Sequence, residues 1–325
     1  MPRAPDFWGV PGPLSTLLAP LGALYGLGAT LRRATSRPWR APVPVVCVGN
    51  LVVGGGGKTP VALALAEFLI DRDRLPHFLT RGYGGREAGP LRVDTSRHGA
   101  AEVGDEALLL ARVAPTWVAR DRAAGARAAI AAGADILVMD DGFQNGALVH
   151  DVALLVVDGS YGFGNGRVMP AGPLREPLEP GIARADAMIV VGEDSTGVSR
   201  WAARRLTVFG ARTAPAAGAK DIAGERVFAF AGIARPEKFY RTLRSMGCTV
   251  VGTRDFPDHH PFTDAEIAAI CADADDADAI AVTTEKDHVR LPPGVRAAIR
   301  ALPVTLTWAE ADTPDRLLAK VLDDG

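Results

Sequence analysis

The sequence contains little cysteine, little lysine and no large excess of charge of either sign. Its three cysteines, Cys47, Cys248 and Cys271, are odd in number and stand at no spacing typical of metal ligands. This excludes a disulfide-stabilised scaffold and a cysteine-based zinc site, and it favours a reducing compartment. A formal net charge of −2 gives no overall basic field that would favour nucleic acid as a partner.

The composition is otherwise that of a folded chain. Apolar residues make up 48% and charged residues 23% of the 325 residues, which excludes a disordered chain and a polytopic membrane protein. This length has room for two domains of about 150 residues each. Only five of the 36 basic residues are lysines, so the position of each lysine is informative.

The N-terminal segment lacks charge but does not read as a transmembrane helix. Residues 7–31 carry no charge, yet several prolines and glycines interrupt them. Four arginines follow at positions 32, 33, 37 and 40. This pattern predicts an amphipathic helix that packs on the protein's own core or lies on an anionic membrane surface. Apolar side chains recur at helical spacing at Leu14, Leu17, Leu18, Leu21, Leu24, Tyr25 and Leu31.

From residue 42 onward, short β-branched runs alternate with patterns rich in alanine and leucine. This alternation predicts an α/β fold with a mostly parallel sheet. The expected strands are residues 43–48, 115–119, 135–140, 152–157 and 186–191, and the expected helices are residues 58–71, 104–114 and 120–132. A second series has expected strands at 227–231, 248–252 and 279–283, helices at 235–246 and 263–272, and a final strand–helix pair. Residues 158–181, rich in glycine and proline, predict a long functional loop.

The strongest chemical signal is GNLVVGGGGKTP at residues 49–60, between the first predicted strand and a helix. A glycine-rich loop in this position, followed by Lys and Thr, indicates a P-loop. We expect Lys58 to contact phosphate oxygens and the Thr59 hydroxyl to bind Mg²⁺. The usual pattern has glycine where this chain has Val52, but the glycine run can still surround a phosphate. Its members are Gly54, Gly55, Gly56 and Gly57.

A second signal is ILVMDDGFQ at residues 136–144, in which an apolar run ends in two acids. Adjacent carboxylates at the end of a buried strand repel each other unless a cation lies beside them, so Asp140 and Asp141 predict a Mg²⁺ site. Both signals together imply ATP or GTP as a ligand. The TEKD sequence at 284–287 does not match the register of a guanine-specificity motif, which favours ATP.

These patterns together predict three segments. Residues 1–40 form the N-terminal helix and its basic flank, and residues 41–200 form a P-loop NTPase-like domain with a mostly parallel sheet. Residues 201–325 form a second, smaller α/β domain, which we expect to close over the nucleotide.

Further charged motifs lie on predicted loops at strand ends, where ligands of parallel sheets bind. GDE at 104–106 opens a helix, and its acids are either helix-start residues or a carboxylate that serves an acceptor hydroxyl. The other motifs are RGYG at 81–84, RDR at 120–122, AGPLREP at 171–177 and FPDHH at 256–260.

The order of these motifs, over about residues 40–291, resembles that of the tetraacyldisaccharide 4′-kinases, the lipid A kinases of Gram-negative bacteria. That family also has a non-glycine residue near position 52. The resemblance implies transfer of the ATP γ-phosphate to the 4′-hydroxyl of a tetraacyldisaccharide 1-phosphate. It also implies a peripheral protein at the cytoplasmic face of the inner membrane, with the N-terminal helix facing the membrane.

The resemblance also implies roles for single residues. Asp105 looks like the catalytic carboxylate, with His259 as its partner and Lys58 on the phosphates; closure of the C-terminal domain would bring His259 to Asp105. The register of FPDHH favours His259 over His260. Asn145 stands where the family has a histidine. The implied metal shell is Thr59, Asp140, Asp141, Glu106 and Gln144, and the implied substrate contacts are Tyr83, Arg122 and Arg175.

Two other functions stay open from the residues alone. One is a P-loop GTPase or metallochaperone that acts on a protein partner, and the other is a nucleotide-gated binding module at the membrane. The kinase interpretation has ATP and Mg²⁺ as cofactors. Its partners are the lipid A disaccharide precursor and the inner-membrane surface, and it needs neither nucleic acid nor an obligate protein partner.

Overall fold

A computed structural model describes residues 5–322. These residues form thirteen strands. The strands are β1 Val45–Gly49, β2 Pro76–Thr80, β3 Leu91–Arg92, β4 Thr116–Val118, β5 Ile136–Asp140, β6 Val152–Asp158, β7 Ala187–Val191, β8 Thr207–Pro215, β9 Arg226–Ala231, β10 Thr249–Asp255, β11 Ile280–Thr284, β12 Arg300–Leu302 and β13 Val304–Trp308.

The same residues form twelve α-helices and three short 3₁₀ turns. The helices are α1 Pro13–Leu17, α2 Ala19–Ala34, α3 Lys58–Ile70, α4 Ala100–Val103, α5 Asp105–Leu110, α6 Arg122–Ala131, α7 Leu178–Ile182, α8 Val198–Ala202, α9 Pro236–Ser245, α10 Asp264–Asp276, α11 Glu285–His288 and α12 Thr313–Leu322. The 3₁₀ turns are Asp6–Trp8, Ala217–Asp221 and Pro293–Ala298.

The strands form two sheets, which confirms the predicted α/β class. A nine-stranded sheet has the order β13-β8-β7-β6-β1-β5-β2-β4-β3, and a four-stranded parallel sheet has the order β10-β9-β11-β12. The large sheet is parallel except where β3 pairs with β4 and β13 with β8. Helices cover both of its faces, so strands such as β1 and β5 are buried along their whole length and appear in the sequence as continuous apolar runs.

The pairing of the central strands positions the glycine-rich loop. β1 lies between β5 and β6, at the point where the strand order reverses, and ligands of such sheets bind at the carboxyl edge there. Val48 of β1 pairs with Asp140 of β5. The loop that leaves β1 therefore begins beside this carboxylate.

The end of the chain returns to the large sheet. β13 pairs antiparallel with β8, and Leu306, Leu317 and Val321 join the core cluster of that sheet. The second sheet accordingly spans residues 226–302, whereas the sequence pattern grouped the final strand and helix with it. Periodicity shows that a strand exists but not which sheet edge it joins. The division of the chain at residue 200 into two domains stays a prediction.

The N-terminal helix α2 contacts the protein through its glycines. Gly22 and Gly26 are buried, and a Cβ on Gly22 would lie 2.6 Å from the Val168 carbonyl oxygen. The leucines of α2 face outward, with Leu24 66% exposed. Within residues 5–322 no helix is both long and apolar enough to cross a bilayer. The helix thus packs by its small residues and leaves its apolar stripe uncovered.

Candidate active site

The glycine-rich loop between β1 and α3 requires glycine at two positions. Gly54 and Gly57 have φ angles of 102° and 84°, in the left-handed region that residues with a Cβ rarely adopt. Gly57 is the N-cap of α3, so free backbone N–H groups of the first helical turn follow directly. The loop and the helix start have the arrangement that binds a phosphate.

Val52 has a structural reason to replace glycine. It forms an antiparallel bridge with Leu174, and the neighbouring Val53 N–H donates to the Pro173 carbonyl at 2.8 Å. An extended, buried residue suits this pairing better than glycine does. The pairing joins the AGPLREP motif to the glycine-rich loop.

The first residues of α3 contact the carboxylates that follow β5. Thr59 Oγ1 donates to Asp140 Oδ2 at 2.9 Å, and Lys58 Nζ lies 3.7 Å from Asp141 Oδ1. Arg175 Nη1 donates to the same Asp141 oxygen at 2.8 Å. The structure therefore brings together five residues that the sequence assigned to one site.

The two neighbouring carboxyl groups have opposite electrostatic surroundings. Burial raises the pKa of Asp140 to about 7, and the charges of Glu106 and Asp141 act in the same direction. Burial also raises the pKa of Asp141, but Lys58 and Arg175 outweigh it and hold that pKa at about 2. Asp141 is thus neutralised by protein cations, whereas Asp140 is short of positive charge.

This deficit makes Asp140 suitable for a divalent cation. Its Oδ1 atom is buried and has no hydrogen-bond partner among the described residues. A buried carboxylate oxygen without a partner is costly, and Mg²⁺ prefers such hard oxygen ligands. Asp140, the Thr59 hydroxyl and the nearby Glu106 carboxylate therefore fit a magnesium ion.

Asp105, at the start of α5, contacts His259 of the loop after β10. Asp105 is the first residue of α5 and is buried, and its Oδ2 atom lies 3.0 Å from His259 Nδ1. Its other oxygen accepts the Glu106 backbone N–H at 2.8 Å. Gly104, the N-cap of α5, has a φ of 85°, and a Cβ there would lie 2.4 Å from the Tyr83 carbonyl oxygen. The GDE motif therefore needs its glycine so that the acids can reach His259.

Lys286 completes this cluster. Its Nζ atom lies 3.2 Å from His259 Nε2 and 3.4 Å from Glu106 Oε1. Burial lowers the pKa of Lys286, but Glu106 and Asp105 outweigh it and raise that pKa. Burial likewise raises the pKa of Asp105, and the His259 hydrogen bond and Lys286 outweigh it, so that this pKa is lowered. Asp105 and Lys286 are therefore an ionised pair around the imidazole of His259.

His260 belongs to a different contact. Its Nε2 atom lies 3.0 Å from Glu266 Oε1, and its ring stacks on Phe256 with centroids 4.8 Å apart. The edge of Tyr83 packs against the ring of His259, at a centroid distance of 5.2 Å. The geometry thus places His259, and not His260, beside Asp105.

Gln144 and Arg122 lie beside this cluster. Gln144 Oε1 accepts a hydrogen bond from Arg175 Nη1 at 3.3 Å. The Gln144 amide donates to the Asn50 carbonyl at 2.8 Å and to Glu176 Oε1 at 3.0 Å. Gln144 therefore supports the glycine-rich loop, and the observed contacts give it no bond to Asp140. Arg122 donates to the Ala119 carbonyl, and burial lowers its pKa to about 10. Its Nε atom is buried with no hydrogen-bond partner within residues 5–322.

A cleft of about 460 Å³ lies between the two sheets beside these residues. The glycine-rich loop, Lys58 and Thr59 line one wall, and Arg235, Lys238 and Lys286 lie on the other. Arg235 and Lys238 both bind Asp158 at the end of β6, each at 2.5 Å. Basic side chains thus lie on both sides of the cleft, where they can pair with a polyphosphate. The lining also includes the acids Glu67, Glu106, Asp158, Asp258 and Glu285.

Several residues of this site did not stand out in the sequence. Lys286 was available as a signal, because it is one of five lysines and lies in the TEKD sequence. Asp258, 3.9 Å from Lys286 Nζ, lies inside FPDHH. Arg235 and Lys238 belong to an ordinary amphipathic helix, and no local pattern distinguishes them from surface residues.

The chain is similar to known proteins along almost its whole length. The chain matches a family model described as "Tetraacyldisaccharide-1-P 4'-kinase" over residues 14–323. A protein of Rhodospirillum centenum named tetraacyldisaccharide 4′-kinase is 56% identical, with 98% of this chain and 97% of that protein covered. One of Gluconacetobacter diazotrophicus with the same name is 55% identical, with 99% and 98% covered.

A solved structure has the same overall architecture. The crystal structure of LpxK from Aquifex aeolicus in complex with ATP has a TM-score of 0.74 to this structure and 28% sequence identity. The similarity covers 95% of this chain and 99% of that one. Sequence and fold agree along almost the whole chain, and the chain therefore belongs to the tetraacyldisaccharide 4′-kinase family.

Proposed function

We propose that this protein is an ATP-dependent kinase that transfers the γ-phosphate of ATP to the 4′-hydroxyl of a tetraacyldisaccharide 1-phosphate in lipid A biosynthesis. The observation that carries the proposal is that Lys286, which lines the cleft together with the glycine-rich loop, contacts His259 of the Asp105–His259 pair. A phosphate donor and a proton acceptor therefore meet at one place, which a kinase needs and a simple nucleotide switch does not.

The nucleotide binds by the glycine-rich loop. Backbone N–H groups from Gly54 to Gly57 surround the β- and γ-phosphates, and Lys58 contacts their oxygens from the start of α3. Thr59, Asp140 and Glu106 hold the metal ion, and Asp141 orients Lys58 and Arg175. Mg²⁺, when bound, neutralises part of the negative charge on the phosphates.

The acceptor hydroxyl loses its proton to the Asp105–His259 pair. As the oxygen–phosphorus bond to the acceptor forms, the bond between the γ-phosphorus and the bridging oxygen breaks, and ADP leaves with its electron pair. Lys286, which contacts His259 and Glu106, stabilises negative charge that develops there. The residues act mainly by position and charge, as is usual in phosphoryl transfer.

Three residues are suited to contact the acceptor. Tyr83 is exposed beside His259, and Arg175 lies half-buried on Asp141. Arg122 has a buried guanidinium nitrogen with no partner among the described residues, so an anionic group of the substrate can satisfy it.

The exposed leucine stripe of α1 and α2 accounts for how the protein reaches an acylated substrate. A helix with one apolar face and arginines at its end lies in the interface of an anionic membrane without crossing it. We infer that the protein is peripheral, at the cytoplasmic face of the inner membrane, where ATP is available.

The test is phosphoryl transfer itself. The purified full-length protein is incubated with γ-labelled ATP, Mg²⁺ and tetraacyldisaccharide 1-phosphate in mixed micelles, and the position of the label is determined. We expect one label per acceptor, at the 4′ oxygen. Label released only as inorganic phosphate, at the same rate with and without acceptor, would contradict the proposal.

A further inference from the structure

Arg290 touches the proposed catalytic pair although it lies outside every motif that indicated the site. It follows α11, and its side chain is 6% exposed. Its Nε atom lies 3.1 Å from Asp105 Oδ2, the same oxygen that His259 Nδ1 approaches. The arginine that follows α11 thus contacts the carboxylate at the start of α5.

Two further contacts of Arg290 are with backbone carbonyls on either side of His259. Its Nη1 atom donates to the His260 carbonyl at 3.1 Å, which belongs to the residue directly after His259. Its Nη2 atom donates to the Gly232 carbonyl at 3.0 Å. That same carbonyl accepts the backbone N–H of His259 at 3.1 Å. One guanidinium therefore contacts three groups around His259: the carbonyl of the next residue, the carbonyl that accepts the His259 N–H, and the carboxylate beside the His259 ring.

His259 needs such support because its backbone is strained. Its φ is 60°, in the left-handed region, which non-glycine residues adopt at an energetic cost and only where surrounding contacts hold them. The hydrogen bonds of Arg290 to the adjoining carbonyls are contacts of this kind.

The guanidinium is itself held firmly. Its Nη2 atom donates to Asp287 Oδ1 at 2.6 Å, and Asp287 is fully buried. The backbone N–H of Gly232 donates to the same carboxylate at 3.1 Å. Asp287, Arg290 and Gly232, which follow β9 and β11, thus form a closed set of contacts. The Nε–H of Arg290 donates to the Lys286 carbonyl at 3.1 Å, and this fixes the atom beside Asp105.

We propose that Arg290 is a positioning residue that holds His259 and Asp105 in the arrangement needed for phosphoryl transfer. The inference rests on the proposed function, in which these two residues accept the proton of the acceptor hydroxyl. Lysine cannot replace this arginine, since one ammonium nitrogen cannot reach acceptors that lie on several sides of a planar guanidinium.

The test compares full-length wild-type protein with Arg290→Gln, Arg290→Lys and the matched control Arg226→Gln. Arg226 also binds backbone carbonyls, those of Asp278 and Ala277, but the observed contacts connect it neither with Asp105 nor with the His259 loop. We expect kcat to fall at least about tenfold for both Arg290 variants, because small misplacements of catalytic groups cost up to about 10²-fold. The KM for ATP should stay within about twofold, and Arg226→Gln should have wild-type kcat.

A double-mutant cycle separates positioning from general stability. In a His259→Ala background, single-turnover assays should show a loss of rate from Arg290→Gln that is at least about threefold smaller than in the wild-type background, since the part of its effect that acts through His259 is already lost. Equal losses of rate in both backgrounds, or a kcat within twofold of wild type for Arg290→Lys, would overturn the inference. If Arg290→Gln does not fold, Arg290→Lys alone decides, with ATP binding as the measure of an intact site.

The proposed function is tested separately by Asp105→Ala. A near-normal kcat in that variant contradicts the role of the pair itself. A strong defect in Asp105→Ala together with full activity in both Arg290 variants contradicts only the role of Arg290.

Discussion

Gly22 of α2 packs directly on Val168, and a Cβ atom on this glycine would lie 2.6 Å from the Val168 carbonyl oxygen. Gly26, one turn later, packs in the same way on Pro177, where a Cβ would lie 3.2 Å from Cγ. The loop after β6, which also pairs with the glycine-rich loop, therefore carries the N-terminal helix. Because glycines make the contact, the leucines of the helix are free to face outward.

This orientation predicts that single leucines on the stripe contribute to membrane binding but not to folding. Leu24 is 66% exposed, so Leu24→Ser should change the free energy of unfolding by less than about 0.5 kcal/mol. Loss of one inserted leucine should weaken association with anionic vesicles about tenfold. Co-sedimentation measures the association and denaturant titration the stability.

The matched control is Leu75→Ser, which replaces a leucine of similar exposure, 60%, in the turn before β2. It should bind vesicles like the wild type. If Leu24→Ser and Leu75→Ser both co-sediment with vesicles as well as the wild type does, the stripe does not face the membrane.

The contact between Asp105 and His259 predicts a loss of turnover without a loss of nucleotide binding. Asp105→Asn keeps the shape of the side chain but removes the acceptor charge, and kcat should fall at least about 10²-fold, the contribution of a general base. The Kd for ATP should change less than threefold, because Lys58 and the glycine-rich loop are intact. Steady-state kinetics measure kcat, and ATP titration measures the Kd.

Glu102→Gln serves as its control. Glu102 lies three residues earlier and contacts Gly99 and Arg86, not the catalytic pair. It should keep kcat near the wild-type value. Comparable turnover in Asp105→Asn and Glu102→Gln is the result that removes Asp105 from the proton-accepting role.

The hydrogen bond from Thr59 to Asp140 predicts that the Mg²⁺ concentration needed for activity depends on the Thr59 hydroxyl. Thr59→Val removes the hydroxyl that donates to Asp140 but keeps the volume of the side chain. The Mg²⁺ concentration for half-maximal rate should rise at least about tenfold, the usual cost of a lost group at a metal site. Thr59→Ser, which keeps the hydroxyl, should behave like the wild type. An unchanged Mg²⁺ dependence in Thr59→Val would show that the hydroxyl does not serve the metal.

Much of the fold follows from local patterns, because parallel strands buried on both faces are continuous apolar runs. β1, β5, β6 and β7 all lie where such runs predicted them. β2, with the sequence PHFLT, was missed, since proline and histidine interrupt its apolar character although all five residues are buried. Neighbouring strands supply that burial, and a local pattern cannot show it.

The candidate site likewise has residues that local patterns predict and residues that they do not. Residues at the ends of predicted strands, such as Lys58 and Asp140, could be placed together because parallel strands share one carboxyl edge. The choice of His259 over His260 rested on the register of FPDHH alone, since no local pattern shows that the backbone turns at His259, with a φ of 60°. Arg290 could not be found either, because its partners at Gly232, His260 and Asp105 come from distant parts of the chain.

His150 predicts a pH dependence of stability that has no connection with catalysis. Burial lowers its pKa to about 4, and the positive charges of Arg33 and Arg184 act in the same direction against Asp151 and Asp186. An unfolded chain binds a proton at His150 near pH 6.5, whereas the folded protein does so only near pH 4. Between these values the unfolded state holds more protons, so stability falls as the pH falls.

Replacement of His150 by Asn should remove this loss of stability at low pH. The shift corresponds to a contribution on the order of 3 kcal/mol that is present above pH 6.5 and lost towards pH 4. The free energy of unfolding in urea, measured at pH 7.5 and pH 5, should therefore fall more in the wild type than in His150→Asn. Other titrating groups affect both proteins alike, so the difference between the two pH dependences isolates this side chain. Identical pH dependences would mean that His150 accepts a proton equally well in the folded and unfolded chain.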